Sequence, residues 1–408
     1  MDAPPELDFY FDIVCPYAWM GAEAVADLQA RTGAVVRWRP ILLGGVFQAV
    51  GQDPVPAASW APARAILGHK DVLRQAAVRG IPLRWPSAHP RRTVDAMRLL
   101  VVTPEEQVPV LALALYRAYW AEDRDVTDLD VLRGVAVSVG VDPALVGAEA
   151  ARSRLREVSA SAAEAGVFGV PTWSVGDRLW WGADRLHFVE AALTGARVDP
   201  APAPGGDGET VEFFHDFASP FSYLASTQIE GIAARHGAAV TWRPILLGAL
   251  FREIGTPNVP MLAMNAAKQQ WVAQDLADWS EHWGVPLRWP SCFPVRTVLP
   301  LRAALVAPEC APALYRALWV DDRDIGDPDV CRAVLDEAGL DGAGILARTE
   351  SPDIKARLRE NTGRARDVGA CGVPTYRLDD GMLIWGQDRL DLLGRCLSGW
   401  RPDDEVAR

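Results

Sequence analysis

The chain of 408 residues contains an internal repeat of unusual length. Residues 38–44 read WRPILLG, and residues 242–248 read the same seven letters. Residues 82–87 and residues 286–291 both read PLRWPS, so both pairs are offset by 204 positions. Solenoids and propellers repeat every roughly 20–50 residues. A period this long therefore indicates a duplicated domain.

Two further motifs recur in the same order and delimit the two copies. GVPT occurs at residues 169–172 and 372–375. The segments WG and DRL within residues 181–186 recur within residues 385–390. Between the copies, residues 198–208 read VDPAPAPGGDG, a composition typical of an extended and then flexible linker. We predict one domain over residues 1–196, a Pro/Gly linker over 197–209, and a second domain over 210–408.

Each copy opens with the pattern of a βαβ unit. Alternating apolar residues at 7–11 and at 211–217 predict a buried strand. The helix that follows should stop at Gly33 in the first copy and at Gly237 in the second, where glycine caps the carboxyl end. An apolar stretch after each glycine predicts a second strand, parallel to the first through a right-handed crossover.

The rest of each copy predicts a long helical insert and a closing ββα unit. About 120 residues of mostly helical pattern precede the GVPT turn. In the first copy, short strands at 172–175 and 179–181 and a final helix follow that turn. This order predicts the α/β class, with a thioredoxin-like fold that carries a helical insertion domain and is duplicated in tandem.

Composition excludes several classes of function. The net charge of −12 argues against non-specific binding to nucleic acid or to an anionic membrane surface. The first residues carry no signal-peptide pattern, and no apolar run reaches the roughly 20 residues needed to cross a bilayer. The six cysteines include no C-x-x-C pair, and the six histidines show no metal-ligand spacing. We expect a cytoplasmic protein without a metal, a membrane anchor or a nucleic-acid partner.

Residues 216–224 read DFASPFSYL, and the second copy as a whole resembles a known family. Together with the WRPILLG, GVPT and WGQDRL segments, this opening is similar to 2-hydroxychromene-2-carboxylate isomerases and kappa-class glutathione transferases. The resemblance covers nearly all of residues 211–398 and, more loosely, residues 7–195. It implies a DsbA-like thioredoxin fold and glutathione as the cofactor.

The resemblance implies that Ser219 activates the glutathione thiol. A serine at the start of a helix lies where free N–H groups favour negative charge, so its hydroxyl could donate to a thiolate. The alternative is that Ser219 only caps the helix, and the two roles are compatible. Phe221 belongs to the same implied cofactor site. Val373 and Pro374 map to a cis-proline turn whose backbone pairs with glutathione, the alternative being an ordinary trans turn.

Other cofactor and substrate residues follow from the same resemblance. Gln387 and Asp388 map to the part of the family site that holds the γ-glutamyl end of glutathione. Asp388 could equally be a solvated acid at a helix start. On the substrate side, Asn258, Lys268 and Trp242 are the candidates. For Asn258 and Lys268, a surface loop and a solvated helix face are the alternatives.

The first copy departs from the family pattern. Cys15 stands where the second copy has Ser219, Ala183 stands for Gln387, and Arg64 stands for Lys268. A thiol at a helix start should have a lowered pKa and be reactive, but no second cysteine is present for dithiol cycling. We interpret this copy as diverged and mainly structural. The alternative is a catalytic Cys15 that forms a mixed disulfide with glutathione.

The leading functional hypothesis is glutathione-dependent isomerisation of a conjugated, aromatic carbonyl compound. The family implies a chromene carboxylate or a hydroxybenzylidene pyruvate as substrate. In it, a thiolate adds to the conjugated carbonyl, the former double bond rotates, and elimination releases the isomer. A kappa-type glutathione transferase and a thiol–disulfide oxidoreductase using Cys15 are the alternatives. Because the family commonly forms dimers of one-copy chains, we expect a monomer with an internal pseudo-dimer.

Overall fold

Eight strands form two sheets of identical topology. A computed structural model describes residues 4–53, 55–196 and 208–402. The strands are β1 (Glu6–Phe11), β2 (Val35–Pro40), β3 (Thr172–Val175), β4 (Arg178–Trp181), β5 (Thr210–His215), β6 (Ala239–Pro244), β7 (Thr375–Arg377) and β8 (Leu383–Trp385). The order is β2-β1-β3-β4 in one sheet and β6-β5-β7-β8 in the other. The predicted duplication of the α/β fold is confirmed.

Helices make up most of both repeats. In the first they are α1 (Pro16–Thr32), α2 (Leu43–Ala49), α3 (Pro62–Val78), α4 (Val94–Val102), α5 (Val108–Trp120), α6 (Leu129–Ser138), α7 (Ala150–Glu164) and α8 (Leu186–Thr194). In the second they are α9 (Pro220–Ser226), α10 (Ile229–Arg235), α11 (Leu247–Ile254), α12 (Ala266–Trp283), α13 (Val298–Val306), α14 (Ala311–Trp319), α15 (Pro328–Glu337), α16 (Gly342–Thr349), α17 (Pro352–Asp367) and α18 (Leu390–Leu397).

The central strand of each sheet pairs in parallel with one neighbour and antiparallel with the other. In the second repeat, Phe213 of β5 lies opposite Trp242 of β6 and opposite Tyr376 of β7. The Phe213 ring packs edge-on against Trp242 at 4.9 Å and stacks with Tyr376 at 5.7 Å, between ring centroids. These aromatic contacts fix the register on one face of the sheet, because a slip of one residue would turn every ring to the other face.

The opposite face of the second sheet packs against α11 and α17. Phe214 of β5 is buried there with Leu250 of α11, Ala365 of α17 and Val373 of the GVPT turn. The turn is therefore held by a hydrophobic cluster of its own repeat.

The start of the second repeat differs from the sequence prediction in two details. Strand β5 ends at His215 rather than at residue 217, because Asp216 begins a turn in which its carbonyl accepts a hydrogen bond from the N–H of Ser219 at 3.1 Å. The predicted single helix is broken into α9 and α10. The hydroxyls of Ser226 and Thr227 donate to the carbonyls of Tyr223 and Leu224, each at 2.7 Å, and compete with the helical ladder.

Each compact unit takes a short helical segment from the other repeat. One unit comprises Met1–Ser59, Val72–Asp199 and Asn265–Val272. The other comprises Trp60–Asp71, Pro200–Met264 and Ala273–Arg408. Helices α3 and α12 are thus each divided between the two units, which a simple division at the predicted linker does not anticipate. We call these the first and the second unit.

Most of the predicted linker, residues 197–207, lies outside the described residues. Within residues 4–53, 55–196 and 208–402, no helix combines the length and the apolar character that a membrane crossing requires. In the same ranges, no group of three histidine, cysteine or acidic residues could hold a metal ion. The cytoplasmic location stays a prediction.

Candidate functional site

Ser219 lies at the N-cap of α9, in the second unit. Its backbone is extended (φ −100°, ψ 118°), and its Oγ accepts a hydrogen bond from the N–H of Ser222 at 3.1 Å. The same hydroxyl donates to the carbonyl of Val373 at 3.4 Å. With 5% of its surface exposed, Ser219 is buried. Ser219 therefore caps the helix, and its hydroxyl proton points at the turn that follows the helical insert.

That turn contains the cis peptide bond Val373–Pro374, the geometry that the family resemblance implies. The Thr375 hydroxyl donates to the carbonyl of Gly372 at 2.7 Å, and the N–H of Gly386 donates to the carbonyl of Pro374 at 3.0 Å. The turn is thus tied to its own strand and to the loop that follows β8.

The loop after β8 brings Gln387 and Asp388 to the site. They lie in a short 3-10 turn, Gln387–Arg389, which packs against α9. Gln387 is only 2% exposed, and its side-chain oxygen Oε1 has no hydrogen-bond partner in the described part of the chain. A buried amide oxygen without a donor costs about 1–3 kcal/mol. Gln387 is therefore a strong candidate for contact with a ligand.

Asp388 is half-buried and lies beside the ion pair that Arg389 forms with Asp71. Its carboxylate lies 3.4 Å from the Arg389 guanidinium. Arg389 in turn donates two hydrogen bonds to Asp71, at 2.8 and 2.9 Å. Asp71 belongs to α3 of the first repeat but to the second unit. Arg389 is thus shared between the carboxylates of Asp71 and Asp388.

Asp216 is a buried residue of this site to which the sequence assigned no role. Its carboxylate accepts hydrogen bonds from the N–H of Ala218 at 3.0 Å and from the N–H of Leu247 at 2.8 Å. Burial raises the pKa of Asp216, although these hydrogen bonds and one from Thr297 oppose the rise. Asp216 ties the Ser219 turn to the start of α11. The recurrence of an aspartate three residues before Cys15 was the available signal.

The structure places the remaining predicted ligand-binding residues in different surroundings. Trp242 packs on Phe213 and donates from its indole N–H to Glu230 of α10 at 2.5 Å, so packing accounts for it. Asn258 is exposed, and its side chain lies close to Gly248. A Cβ atom added to that glycine would lie only 2.7 Å from Oδ1 of Asn258. Phe221 is half-buried on α9. The binding roles of these residues stay predictions.

Lys268 lies in a segment of α12 that belongs to the first unit. The segment Asn265–Val272 belongs to the first unit, whereas Ser219 belongs to the second. The Lys268 ammonium lies 4.9 Å from the ring centroid of Trp181, in a cation–π contact. The start of α12 packs with the repeat that carries Cys15, and the binding role of Lys268 stays a prediction.

Cys15 occupies the place of Ser219 in the first repeat, with an equivalent backbone (φ −99°, ψ 118°). Its thiol donates to the carbonyl of Val170 at 3.2 Å, and the Val170–Pro171 bond is cis. Burial raises the pKa of the Cys15 thiol to about 12, against the N–H groups of Ala18 and Tyr17, which lower it. The predicted lowering of this pKa is wrong, because desolvation outweighs the position at the helix start.

These features define a class of protein. A βαβ and ββα sheet places a serine or cysteine, followed by proline, at a helix N-cap beside the residue that precedes a cis-proline. That is a thioredoxin-like domain, present here twice. The chain belongs to the family of the DSBA-like thioredoxin domain, whose model matches residues 6–194 and again residues 210–398.

Relatives of known name agree with the resemblance seen in the sequence. The chain is 29% identical over 197 residues to a 2-hydroxychromene-2-carboxylate isomerase of Sphingobium xenophagum, covering 46% of this chain and 97% of the relative. It is 28% identical over 217 residues to glutathione S-transferase kappa 1 of Rattus norvegicus, covering 49% and 96%. A solved 2-hydroxychromene-2-carboxylate isomerase aligns with a TM-score of 0.40 at 28% identity, over 46% of this chain and 94% of that structure. Each relative spans about half of this chain, as expected for two fused copies.

Proposed function

We propose that the protein is a glutathione-dependent isomerase of a conjugated carbonyl compound, with its reactive centre at Ser219. The observation that carries the proposal is the Ser219 hydroxyl, held at a helix N-cap and directed at the carbonyl of Val373 beside a cis-proline. A relative named 2-hydroxychromene-2-carboxylate isomerase supports an aromatic enone or chromene carboxylate as the class of substrate.

The residues around Ser219 fit glutathione. The unpartnered Oε1 of Gln387 accepts hydrogen bonds, and the half-buried carboxylate of Asp388 attracts positive charge. The γ-glutamyl end of glutathione carries an ammonium group that offers three donors, so the two side chains suit it together. Val373 and Pro374 would hold the peptide part beside the turn.

Glutathione would supply a thiolate that adds reversibly to the conjugated carbonyl, which allows the former double bond to rotate. The hydroxyl of Ser219 would donate a hydrogen bond to the bound thiolate and stabilise its charge. The Ser222 N–H already bonds to the Ser219 oxygen and makes the hydroxyl a better donor. A hydrogen bond to a charged group contributes about 1.5–3 kcal/mol, which lowers the pKa of a bound thiol by roughly one to two units.

A kappa-type transferase would use the same site but keep the product attached to glutathione. The relative named glutathione S-transferase kappa 1 favours it as the second candidate. A thiol–disulfide oxidoreductase at Cys15 has less support, because burial raises the pKa of that thiol to about 12. The thiolate is the nucleophile in disulfide exchange, so such a thiol would react slowly.

Calorimetric titration of reduced glutathione into wild type, Ser219→Ala and Cys15→Ala tests the site. One site per chain, weakened only by Ser219→Ala, is the expected result. Two sites would assign binding to the first repeat as well, and no binding in any protein would refute the glutathione proposal. Incubation with 2-hydroxychromene-2-carboxylate then separates the reactions, since an isomerase leaves glutathione unconsumed and a transferase does not.

The two repeats also suggest how the protein assembles. We propose that the chain is a monomer in solution, because its two thioredoxin-like domains can pair within one molecule as one-copy chains would in a dimer. Light scattering after size exclusion should give the chain mass of 44.4 kDa, and twice that mass would contradict the proposal.

A further inference from the structure

The guanidinium group of Arg64 belongs to the second unit and forms no ion pair with an acidic side chain among the described residues. It lies in the first turn of α3, within the segment Trp60–Asp71 that this unit takes from the first repeat. The guanidinium carbon lies 4.5 Å from the ring centroid of Trp60. Burial lowers the pKa of Arg64, and among the described residues the thiol of Cys371 is the ionisable group that acts on it. A half-buried cation of this kind is normally paired.

One face of α3 runs along the Ser219 site. Leu67, three residues after Arg64, packs against Cys371 and Leu383. Asp71, one turn further, holds Arg389 beside Asp388. Residues three, four and seven apart lie on the same face of a helix. Arg64 therefore lies at one end of this face, near Cys371, and Asp71 lies at the other end.

The length of this face suits an extended tripeptide. Arg64 and Asp71 are seven positions apart, and at a rise of about 1.5 Å per residue they are separated by about 10 Å along the helix. An extended tripeptide spans roughly 10 Å. A thiol tripeptide with its amino end at Asp388 would therefore bring its carboxyl end toward Arg64.

We propose that Arg64 of the first repeat binds a carboxylate at the Ser219 site of the second repeat. The proposal rests on the proposed function. The planar guanidinium can donate two parallel hydrogen bonds to a carboxylate. This carboxylate is either that of the glycine of glutathione or the acid group of the substrate. Arg64 thereby takes the role that the resemblance implies for Lys268, its counterpart in the other repeat.

The full-length chain tests this with Arg64→Met, Arg64→Lys and Lys268→Met. Arg64→Met removes the charge and keeps much of the side chain, while Arg64→Lys restores a cation. The probes are reduced glutathione and its glycyl ethyl ester, measured by calorimetry. A second pair, 2-hydroxychromene-2-carboxylate and its methyl ester, is measured by isomerisation rate. Circular dichroism confirms that each variant is folded.

Two results would support the proposal and identify the source of the carboxylate. If it comes from glutathione, Arg64→Met binds glutathione about 10- to 100-fold more weakly and no longer distinguishes it from the ester. If it comes from the substrate, glutathione binding is unchanged, and KM for the acid rises by a similar factor while kcat changes little. In both cases Arg64→Lys recovers much of the loss and Lys268→Met shows none.

Three other results would refute the proposal. If wild type binds glutathione and Arg64→Met alters neither its affinity nor the preference for acid over ester, Arg64 is not the carboxylate site. A loss in Lys268→Met without one in Arg64→Met would overturn the proposal in favour of the sequence assignment. If wild type neither binds glutathione nor isomerises the substrate, the proposed function fails, and the role of Arg64 fails with it.

Discussion

Gly386 offers a direct test of whether Asp388 binds the cofactor. It lies between β8 and the 3-10 turn with φ +113°, a conformation that side chains rarely adopt. Its N–H is held by the carbonyl of Pro374 at 3.0 Å, so the backbone is not free to rotate. A Cβ at this position would overlap Oδ1 of Asp388. Gly386→Ala should therefore strain the backbone and displace that carboxylate.

The expected losses of stability and of glutathione affinity follow from the backbone strain and from the displaced carboxylate. A non-glycine residue in such a conformation costs about 1–3 kcal/mol. A domain has about 5–15 kcal/mol of stability, so the variant should remain folded. Displacing a carboxylate that holds a cation costs a further 1.5–3 kcal/mol or so in binding, which corresponds to about a 10- to 100-fold weaker affinity for glutathione.

The first repeat supplies a matched control. Gly182 has φ +114°, its N–H donates to the carbonyl of Pro171 at 2.9 Å, and a Cβ there would overlap Oδ1 of Asp184. Gly182→Ala should lose similar stability in urea unfolding but leave glutathione binding unchanged in calorimetry. Equal loss of binding in both variants would show that the effect is a general one on stability. Unchanged binding in Gly386→Ala would refute the role of Asp388.

Ser219→Ala should lower the free energy of unfolding by about 0.5–2 kcal/mol through loss of the N-cap, and should abolish isomerisation in a spectrophotometric assay; retained activity would exclude Ser219. Burial disfavours the charged form of Glu212, but hydrogen bonds and ion pairs with Arg364 and Arg243 outweigh it and lower the pKa of Glu212. Its contribution to stability is therefore present above the ordinary glutamate pKa and is lost as pH falls through the lowered value. Glu212→Gln should cost about 2 kcal/mol in denaturant unfolding at neutral pH, and this cost should shrink as the pH is lowered below the ordinary glutamate pKa, whereas a cost that does not change with pH would contradict the ion-pair explanation. Cys15 is half-buried, but desolvation raises its pKa to about 12, so it should be alkylated more slowly at pH 8 in the folded chain than in urea; equal rates in mass spectrometry would contradict the raised pKa.

Much of the fold could be predicted because the determining signals are local. The GVPT turn, the glycine after the first helix and the alternating strand at residues 7–11 each act within a few positions, and together they restrict the topology. The duplication then supplies the same evidence twice. The break between α9 and α10 also has a local cause, since Ser226 and Thr227 replace Ala22 and Glu23 of the continuous helix α1.

The candidate site could be predicted only where the motif itself carries it. Ser219, Val373 and Pro374 come together as the resemblance implied, because one structural unit holds them. The place of Lys268 could not be predicted, because helical periodicity shows which face of α12 is apolar but not which repeat covers it. The pKa of Cys15 was mispredicted for a related reason: desolvation depends on every element packed around the thiol, which sequence position does not reveal.

The two repeats differ at the matching positions of Trp173 and Tyr376. In the first repeat, the indole N–H of Trp173 donates to the carbonyl of Gly182 at 3.1 Å, so the side chain is satisfied within the protein. The second repeat has Tyr376 at the matching position, and its buried hydroxyl has no partner among the described residues, as is also true of Gln387 Oε1. Two such groups cost about 1–3 kcal/mol each.

A cost of that size is expected where polar groups serve a ligand rather than the fold. The first repeat nevertheless contributes to the second unit, because Trp60–Asp71 is part of that unit. This segment contains Arg64 and also Asp71, which pairs with Arg389. On the proposed role of Arg64, a first repeat whose own centre has diverged would still be required, since residues 60–71 would contribute to the site of the second.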